Sequence, residues 1–291
     1  FHANGETVVR LEERLGWTHK GIEGLMRGKT PLDAARIACR ISGDSAVAHA
    51  LAFARAVEAA VDQRPPPRAD FLRALMAEIE RIANHLGDFG AICNDASFVF
   101  LQAEATTLRE QMLRLAGKLF GHRLMMDAVV PGGVARDLDW EGAEALRAHV
   151  DQLGPAFEKL VKTYDNRPSL LDRTMATGVT AAHLVRRFAA GGFVGRGSGR
   201  GDDARRTPGY PPYDQLDFEI PVQHEGDVHA RVWIRIREIR ASLKLIREML
   251  AQLPTGAIRV ELPTGAGREG MAIVEGFRGD VFGWVRLDGQ G

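Results

Sequence analysis

The strongest constraint on the fold is a run from Arg68 to about Cys93 in which Leu72, Leu75, Met76, Ile79, Ile82, Leu86 and Phe89 recur every three or four residues. Residues at that spacing stack along one side of a helix, so this segment predicts a long helix with one face in the core. A second stripe, Val228, Val232, Ile236, Ile239, Leu243, Ile246 and Leu250, marks another long helix from roughly Gly226 to Leu253, with arginines and lysines elsewhere around it. Two such faces must be buried against other elements, which predicts a helical bundle.

Shorter signals fill in the rest. Thr30 as N-cap and Pro31 at the first helical position open an alanine-rich helix expected to reach about Asp62, where Arg64-Pro65-Pro66-Pro67 ends it. Further helices are expected from about Phe98 to Met126 and from Trp140 to Tyr164, separated by the turn that Pro131-Gly132-Gly133 forces. Gly5 to Leu11, Ala257 to Leu262, Met271 to Gly276 and Val281 to Leu287 read as strands, so the two ends of the chain are expected to build one small sheet. The fold class is α+β, mainly α: a single domain, 1–291, with a bundle of four to five long helices in 30–165 and 226–253 and the sheet in 1–29 and 254–291. Residues 166–225, rich in glycine, arginine and proline, are too long for an idle connector and are expected to form an irregular loop facing a partner. Because the outer strands lack lead-in elements, the chain reads as clipped at both ends.

Thirty-eight basic residues balance 38 acidic ones, which removes the electrostatic drive of a nucleic-acid binder. The two cysteines, Cys39 and Cys93, are far apart and support neither a disulfide framework nor a cysteine-only metal site. No run approaches the roughly 20 apolar residues of a membrane span, so a membrane would lie beside this chain.

Three segments carry candidate chemistry. In Gly16-Trp17-Thr18-His19-Lys20-Gly21-Ile22-Glu23, His19 and Glu23 crowd a glycine-punctuated turn before a helix, where Glu23 could relay protons or simply favour the helix dipole. Arg40 to His49, containing Ser42, Gly43, Ser45 and His49, is a small-residue patch expected inside a helix; Gly43 there costs about 1 kcal/mol relative to alanine, so either a ligand or a packed helix approaches closely. Gly195 to Arg206 offers amides and arginines for an anion nest, or a partner-facing loop. His85 reads as a core or boundary histidine, and His19, His49 and His85 lack zinc-site spacing.

The string Leu15 to Glu23, Arg64 to Ala69, Glu78-Ile79-Glu80-Arg81-Ile82-Ala83-Asn84-His85-Leu86 and Pro131-Gly132-Gly133-Val134 resembles the D subunit of respiratory complex I (NADH-quinone oxidoreductase) and the large subunits of energy-converting nickel-iron hydrogenases. Arg196 to Gly199, Tyr213 to Val222, Gly226-Asp227 and Arg237 to Ser242 continue the resemblance in the same order across nearly the whole chain, and Gly121-His122-Arg123 is similar to the formate-hydrogenlyase-like branch.

The resemblance implies a hydrogenase large-subunit-like fold packed on an iron-sulfur small subunit, a protein like the C subunit of complex I, with ion-translocating membrane subunits beside them. Its place would be peripheral, on the cytoplasmic side of the inner membrane. Hydrogenases hold nickel and iron with paired cysteines, and Ser42 and Ser45 occupy the first pair's positions; hydroxyls cannot replace bridging thiolates, so no nickel-iron centre is expected. Complex I uses that cavity for a quinone, which stays possible here, although Gly43 falls where the family has a tyrosine and the loop histidine would precede Phe1. The resemblance gives Arg40 a role beside the partner's terminal iron-sulfur cluster, whose tuning histidine aligns with Met125, and gives Glu23 one in proton transfer. The expected function is that of an electron-transfer subunit that couples electron arrival to proton or ion movement, the alternative being a catalytically silent scaffold.

Overall fold

The computed structural model describes residues 1–14, 19–263 and 268–288. Leu15 to Thr18, part of the first motif, lie outside the described residues. A hairpin of β1 (His2–Asn4) and β2 (Thr7–Arg10) leads to the short α1 (Ile22–Met26) and then α2 (Pro31–Ala38), where the Thr30 hydroxyl accepts the Asp33 amide at 3.2 Å. The helix expected from Thr30 to Asp62 is two helices: α2 stops, Cys39 to Ser45 form a loop, and α3 spans Ala46–Val61. The break falls where the Ser42 and Ser45 hydroxyls bond the Asp44 carboxylate instead of leaving the backbone to continue as helix.

The central helix, α4 (Pro67–Asp95), pairs as a helical hairpin with α5 (Val99–Phe120), and the apolar stripe read from the sequence is buried. A two-rung hairpin, β3 (Val129–Val130) with β4 (Gly133–Val134), precedes α6 (Trp140–Asp165), which packs on α5. Short helices α7 (Pro168–Thr174), α8 (Ala182–Arg187) and α9 (Gly192–Gly197) lead to α10 (Val228–Ala251), which lies against α4 and α6. The Asp227 carboxylate caps α10 through the Ala230 amide at 2.7 Å.

Among the described residues the expected single sheet is not formed. The ends build separate hairpins, β1–β2 and, at the other end, β5 (Glu269–Gly276) with β6 (Gly279–Arg286), paired in register from Glu269↔Arg286 to Gly276↔Gly279. Of the strand expected at Ala257 to Leu262, only a bridge between Arg259 and Gly133 appears. The β5–β6 hairpin instead lies on α3, whose alanines present a flat face: a Cβ on Gly283 would sit 2.9 Å from the Ala52 carbonyl, and one on Gly270 would overlap the backbone at Ala56 and Ala60.

Residues 195–206 also depart from expectation. Arg196, Ser198, Asp203 and Arg205 are buried, and the three charged ones are paired inside the chain, so these side chains belong to the core, while Gly199, Gly201, Asp202 and Arg206 stay exposed. Besides Asp203 within the run, its carboxylate partners come from α4, α10 and β5, so no local pattern announces them. The outward-facing part of 166–225 lies earlier, where Met175, Val179, Leu184 and Phe188 are exposed.

Candidate functional site

The Cys39–Ser45 loop gathers groups from five parts of the chain. At its start, Arg40 forms a two-pronged pair with Asp127, Nη1 to Oδ1 at 2.6 Å and Nη2 to Oδ2 at 2.7 Å, while Nη1 also reaches the Arg36 carbonyl at 2.6 Å. Asp127 holds this position with a φ of 63°, in the left-handed region. The hydrogen bond from Arg40 holds the Asp127 carboxyl below its usual range despite some burial. Both side chains stay about half exposed, so the pair is available to a neighbouring molecule. Burial pushes the adjacent Cys39 thiol up, which makes it a poor thiolate ligand.

In the middle of the loop, burial alone would raise the Asp44 carboxyl, but hydrogen bonds from Ser42 and from Arg278 at 2.7 Å bring it below its usual range. The Asp44 carbonyl accepts Asn84 Nδ2 at 2.5 Å, tying the loop to α4. Beneath the loop lies Glu80, buried, its two oxygens accepting the Val47 amide at 2.6 Å and the Ala48 amide at 3.1 Å. It thus caps α3 from another helix, a task Ser45 leaves undone. Burial pushes Glu80 up to about 8, against the lowering effect of those amides and of Arg81. Half-buried His49 stands one turn into α3 and burial lowers its imidazole, with Asp44 pulling the other way. Beside Gly43 there is open space: an added Cβ would find its nearest neighbour, Leu124 Cδ1, at 4.0 Å.

Of the residues read from the sequence, Arg40, Ser42, Gly43, Ser45 and His49 do share this region. His19 accepts the Gly21 amide through Nδ1 at 2.9 Å, and Lys20 beside it donates to the Ile41 carbonyl at 3.1 Å, which brings the first motif to the rim of the loop. Glu23 is exposed on α1 and has no described contact with Arg40 or Ser42. His85 is fully buried and bonds Glu238 at 2.6 Å, so it belongs to the interior, within the core-or-boundary reading. The sequence reading missed Asp44, Glu80, Asp127 and Arg278. Two had a signal: Asp44 lies inside the Arg40 to His49 patch, and Glu80 is a carboxylate beside Ile79 and Ile82 in the apolar stripe.

The donor set does not suit nickel and iron. Ser42 and Ser45 bring hard hydroxyls already engaged with Asp44, and among the described residues no cluster of three or more His, Cys, Asp or Glu could hold a metal.

With this geometry in view, the comparisons with known proteins are specific. The family described as the 49 kDa subunit of respiratory-chain NADH dehydrogenase matches residues 96–276, and the nickel-dependent hydrogenase family matches residues 20–93. A carbon monoxide-induced hydrogenase of Rhodospirillum rubrum is 30% identical over 99% of this chain and 81% of its own. The D subunit of an NADH-quinone oxidoreductase of Dehalococcoides mccartyi is 32% identical over 98% of this chain and 79% of its own. A chain of the membrane-bound sulfane sulfur reductase, an archaeal respiratory membrane complex, superposes with a TM-score of 0.88 at 26% identity, covering 94% of this chain and 76% of that one. The chain belongs to the complex I 49 kDa subunit family and shares its hydrogenase large-subunit-like fold. It is a subunit of an oxidoreductase complex of the complex I or energy-converting hydrogenase kind.

Proposed function

We propose that this subunit links electron arrival at a neighbouring iron-sulfur protein to proton handling at the Cys39–Ser45 loop. The observation that carries the reading is Glu80, a buried carboxyl directly under the loop and pushed up to about 8, so that it holds and releases a proton near neutral pH. The half-exposed Arg40–Asp127 pair at the loop's outer edge is the contact for the iron-sulfur small subunit, a protein like the C subunit of complex I, where a guanidinium favours the extra electron of a reduced cluster. A quinone, when bound, supplies an acceptor of both electrons and protons. Ser42 and the open space beside Gly43 would meet its headgroup, while Asp44, fixed by Arg278, keeps the loop in place. His19, His49 and Glu23 would act at the rim of this region, Glu23 passing protons to or from solvent. The subunit would sit peripherally on the cytoplasmic side, beside ion-translocating partners; no helix among the described residues is long and apolar enough to cross a membrane.

The test is the natively purified complex. Glu80→Gln keeps a hydrogen-bonding side chain but does not titrate, and its proton-coupled turnover is expected to fall by about 10²-fold, the low end of general acid-base contributions. An iron-sulfur protein should co-purify, and nickel should not survive chelation. Unchanged turnover in an assembled Glu80→Gln complex would return this subunit to a scaffold, and stoichiometric chelation-resistant nickel would overturn the donor argument.

A further inference from the structure

Behind the loop, α4, α9, α10, β5 and the 202–206 segment enclose a charged cluster in the core. Glu78, Arg81, His85, Arg196, Asp203, Arg205, Glu238 and Glu275 are each at most 4% exposed. Glu238 is central: Oε1 accepts Arg196 Nε at 2.6 Å and Oε2 meets His85 Nε2 at 2.6 Å, with Arg81 Nη1 at 3.5 Å. Arg196 Nη1 continues to Glu275 Oε1 at 2.9 Å and approaches Asp203 at 3.5 Å. Arg205 then joins Asp203, at 2.7 Å, to Glu78, at 2.9 Å.

The carboxyls here are Glu78, Asp203, Glu238 and Glu275, and the guanidiniums are Arg81, Arg196 and Arg205. Four against three leaves one negative charge too many if every acid is ionised. An uncompensated charge at this depth is strongly disfavoured even after relaxation, whereas one bound proton makes the cluster neutral. Surrounding charges do not supply the compensation. Arg235 is engaged by Asp88 at 3.0 Å, Arg278 by Asp44 at 2.7 Å, and Tyr213 donates its hydroxyl to Glu78 at 2.7 Å. Glu80, next to Arg81 in the chain, is itself raised to about 8 and adds no full charge at neutral pH.

The bonding pattern limits where the proton can sit. Glu78 accepts from Arg205, Tyr213 and Ser242, and Asp203 accepts three bonds from Arg205, so both are saturated as carboxylates. Glu238 is flanked by Arg196, His85 and Arg81. Glu275 has one donor per oxygen, Arg196 and the Ala204 amide at 3.0 Å, and His85 has a buried Nδ1 with no partner among the described residues. We infer that this cluster is a proton-binding site holding one proton shared between Glu275 and His85, a reserve behind the redox-facing loop. In one form Glu275 is a neutral acid and His85 a neutral imidazole. In the other the carboxyl O–H bond is broken, the proton forms an N–H bond at His85 Nδ1, and the total charge is unchanged. Burial, with Asp203 adding to it, raises Glu275, and burial lowers His85, which favours the first form. Arg81 ties the site to the loop: it donates to the Glu275 and Gly276 carbonyls at 2.9 and 3.1 Å, two residues before Arg278 grips Asp44.

This inference rests on the proton-handling reading, but its test reads protonation and not turnover, so the two fail separately. Infrared spectra of the assembled complex at neutral pH, with Glu275→Gln and His85→Gln variants and nitrogen-labelled histidine, report protonated carboxyls and imidazolium. The expected result is one proton in total: loss of a carboxylic-acid band in Glu275→Gln, or loss of an imidazolium signature in His85→Gln, or complementary fractions of the two. Loss of neither, or a full proton at both, overturns the inference. If Glu275→Gln does not assemble, Glu275→Asp keeps the titrating group, and the acid band is expected to shift; an unshifted band counts against Glu275, leaving a full imidazolium at His85 as the only result that sustains the count.

Discussion

Glu80 shows how one residue can serve stability and proton chemistry in opposite directions. Its oxygens hold the Val47 and Ala48 amides at the start of α3, where an anion is favoured by the helix dipole, yet burial outweighs those bonds and raises the carboxyl to about 8. A carboxyl raised in the folded state binds its proton more tightly than in the unfolded chain. Its contribution is therefore complete below the ordinary value of 4.5 and is lost as pH rises through 8. Between those limits the chain is expected to lose about 1.4 kcal/mol of stability per pH unit relative to Glu80→Gln. Parallel denaturation of the two proteins across that range measures the difference; equal pH dependence would mean Glu80 titrates normally. Asp203 has the reverse sign, since Arg205 and Arg196 overcome burial and lower it to about 2, so its stabilisation is present above 3.8 and is lost as pH falls through 2. The Glu80 slope is thus read without interference from Asp203.

At the scale of elements, the β5–β6 hairpin on α3 is a backbone-to-backbone contact made possible by small residues on both sides. Gly270→Ala has no space for its methyl against Ala56 and Ala60 and is expected to destabilise the chain by about 1–3 kcal/mol, the usual cost of overpacking, measurable by thermal melting. A variant as stable as the parent would show that the hairpin lifts freely. The same contact explains which elements were legible in the sequence. The stripes of α4 and α10 were readable because helix periodicity is local, and their expected ends agree with Pro67–Asp95 and Val228–Ala251 to within a few residues. The hairpin's alliance with α3, and the pairing of Arg196 and Arg205 with Glu238, Glu275 and Glu78, were not, because their partners lie far along the chain. The loop in the candidate site was half legible: its small residues stood out, but the Ser42–Asp44 bond that breaks the helix and the Glu80 cap beneath it depend on tertiary contact.

Across the whole molecule, the interior is closed by paired charges, while large apolar side chains stand exposed at several places among the described residues, three of them grouped. The β1–β2 hairpin is exposed throughout, with Val8 and Val9; Met175, Val179 and Phe188 stand out around α7 and α8; and Met271, Phe282 and Trp284 line the outer face of β5–β6. Exposed apolar side chains grouped along an element are candidates for interaction surfaces, and a two-stranded hairpin with no buried face has little of its own to hold it. The buried 195–206 segment has the opposite character. Its Arg196 and Arg205 pairs are completed within the chain, and breaking a buried pair of this sort costs about 3–5 kcal/mol. Amide hydrogen exchange should separate the two classes. In the isolated protein, 2–10 and 175–190 are expected to exchange fast and 195–206 slowly, and on assembly protection should appear in the first set with little change in the second. Fast exchange at 195–206 without partners would mean that a neighbouring protein, and not the Glu238–Arg196–Glu275 pairing, holds that segment in place.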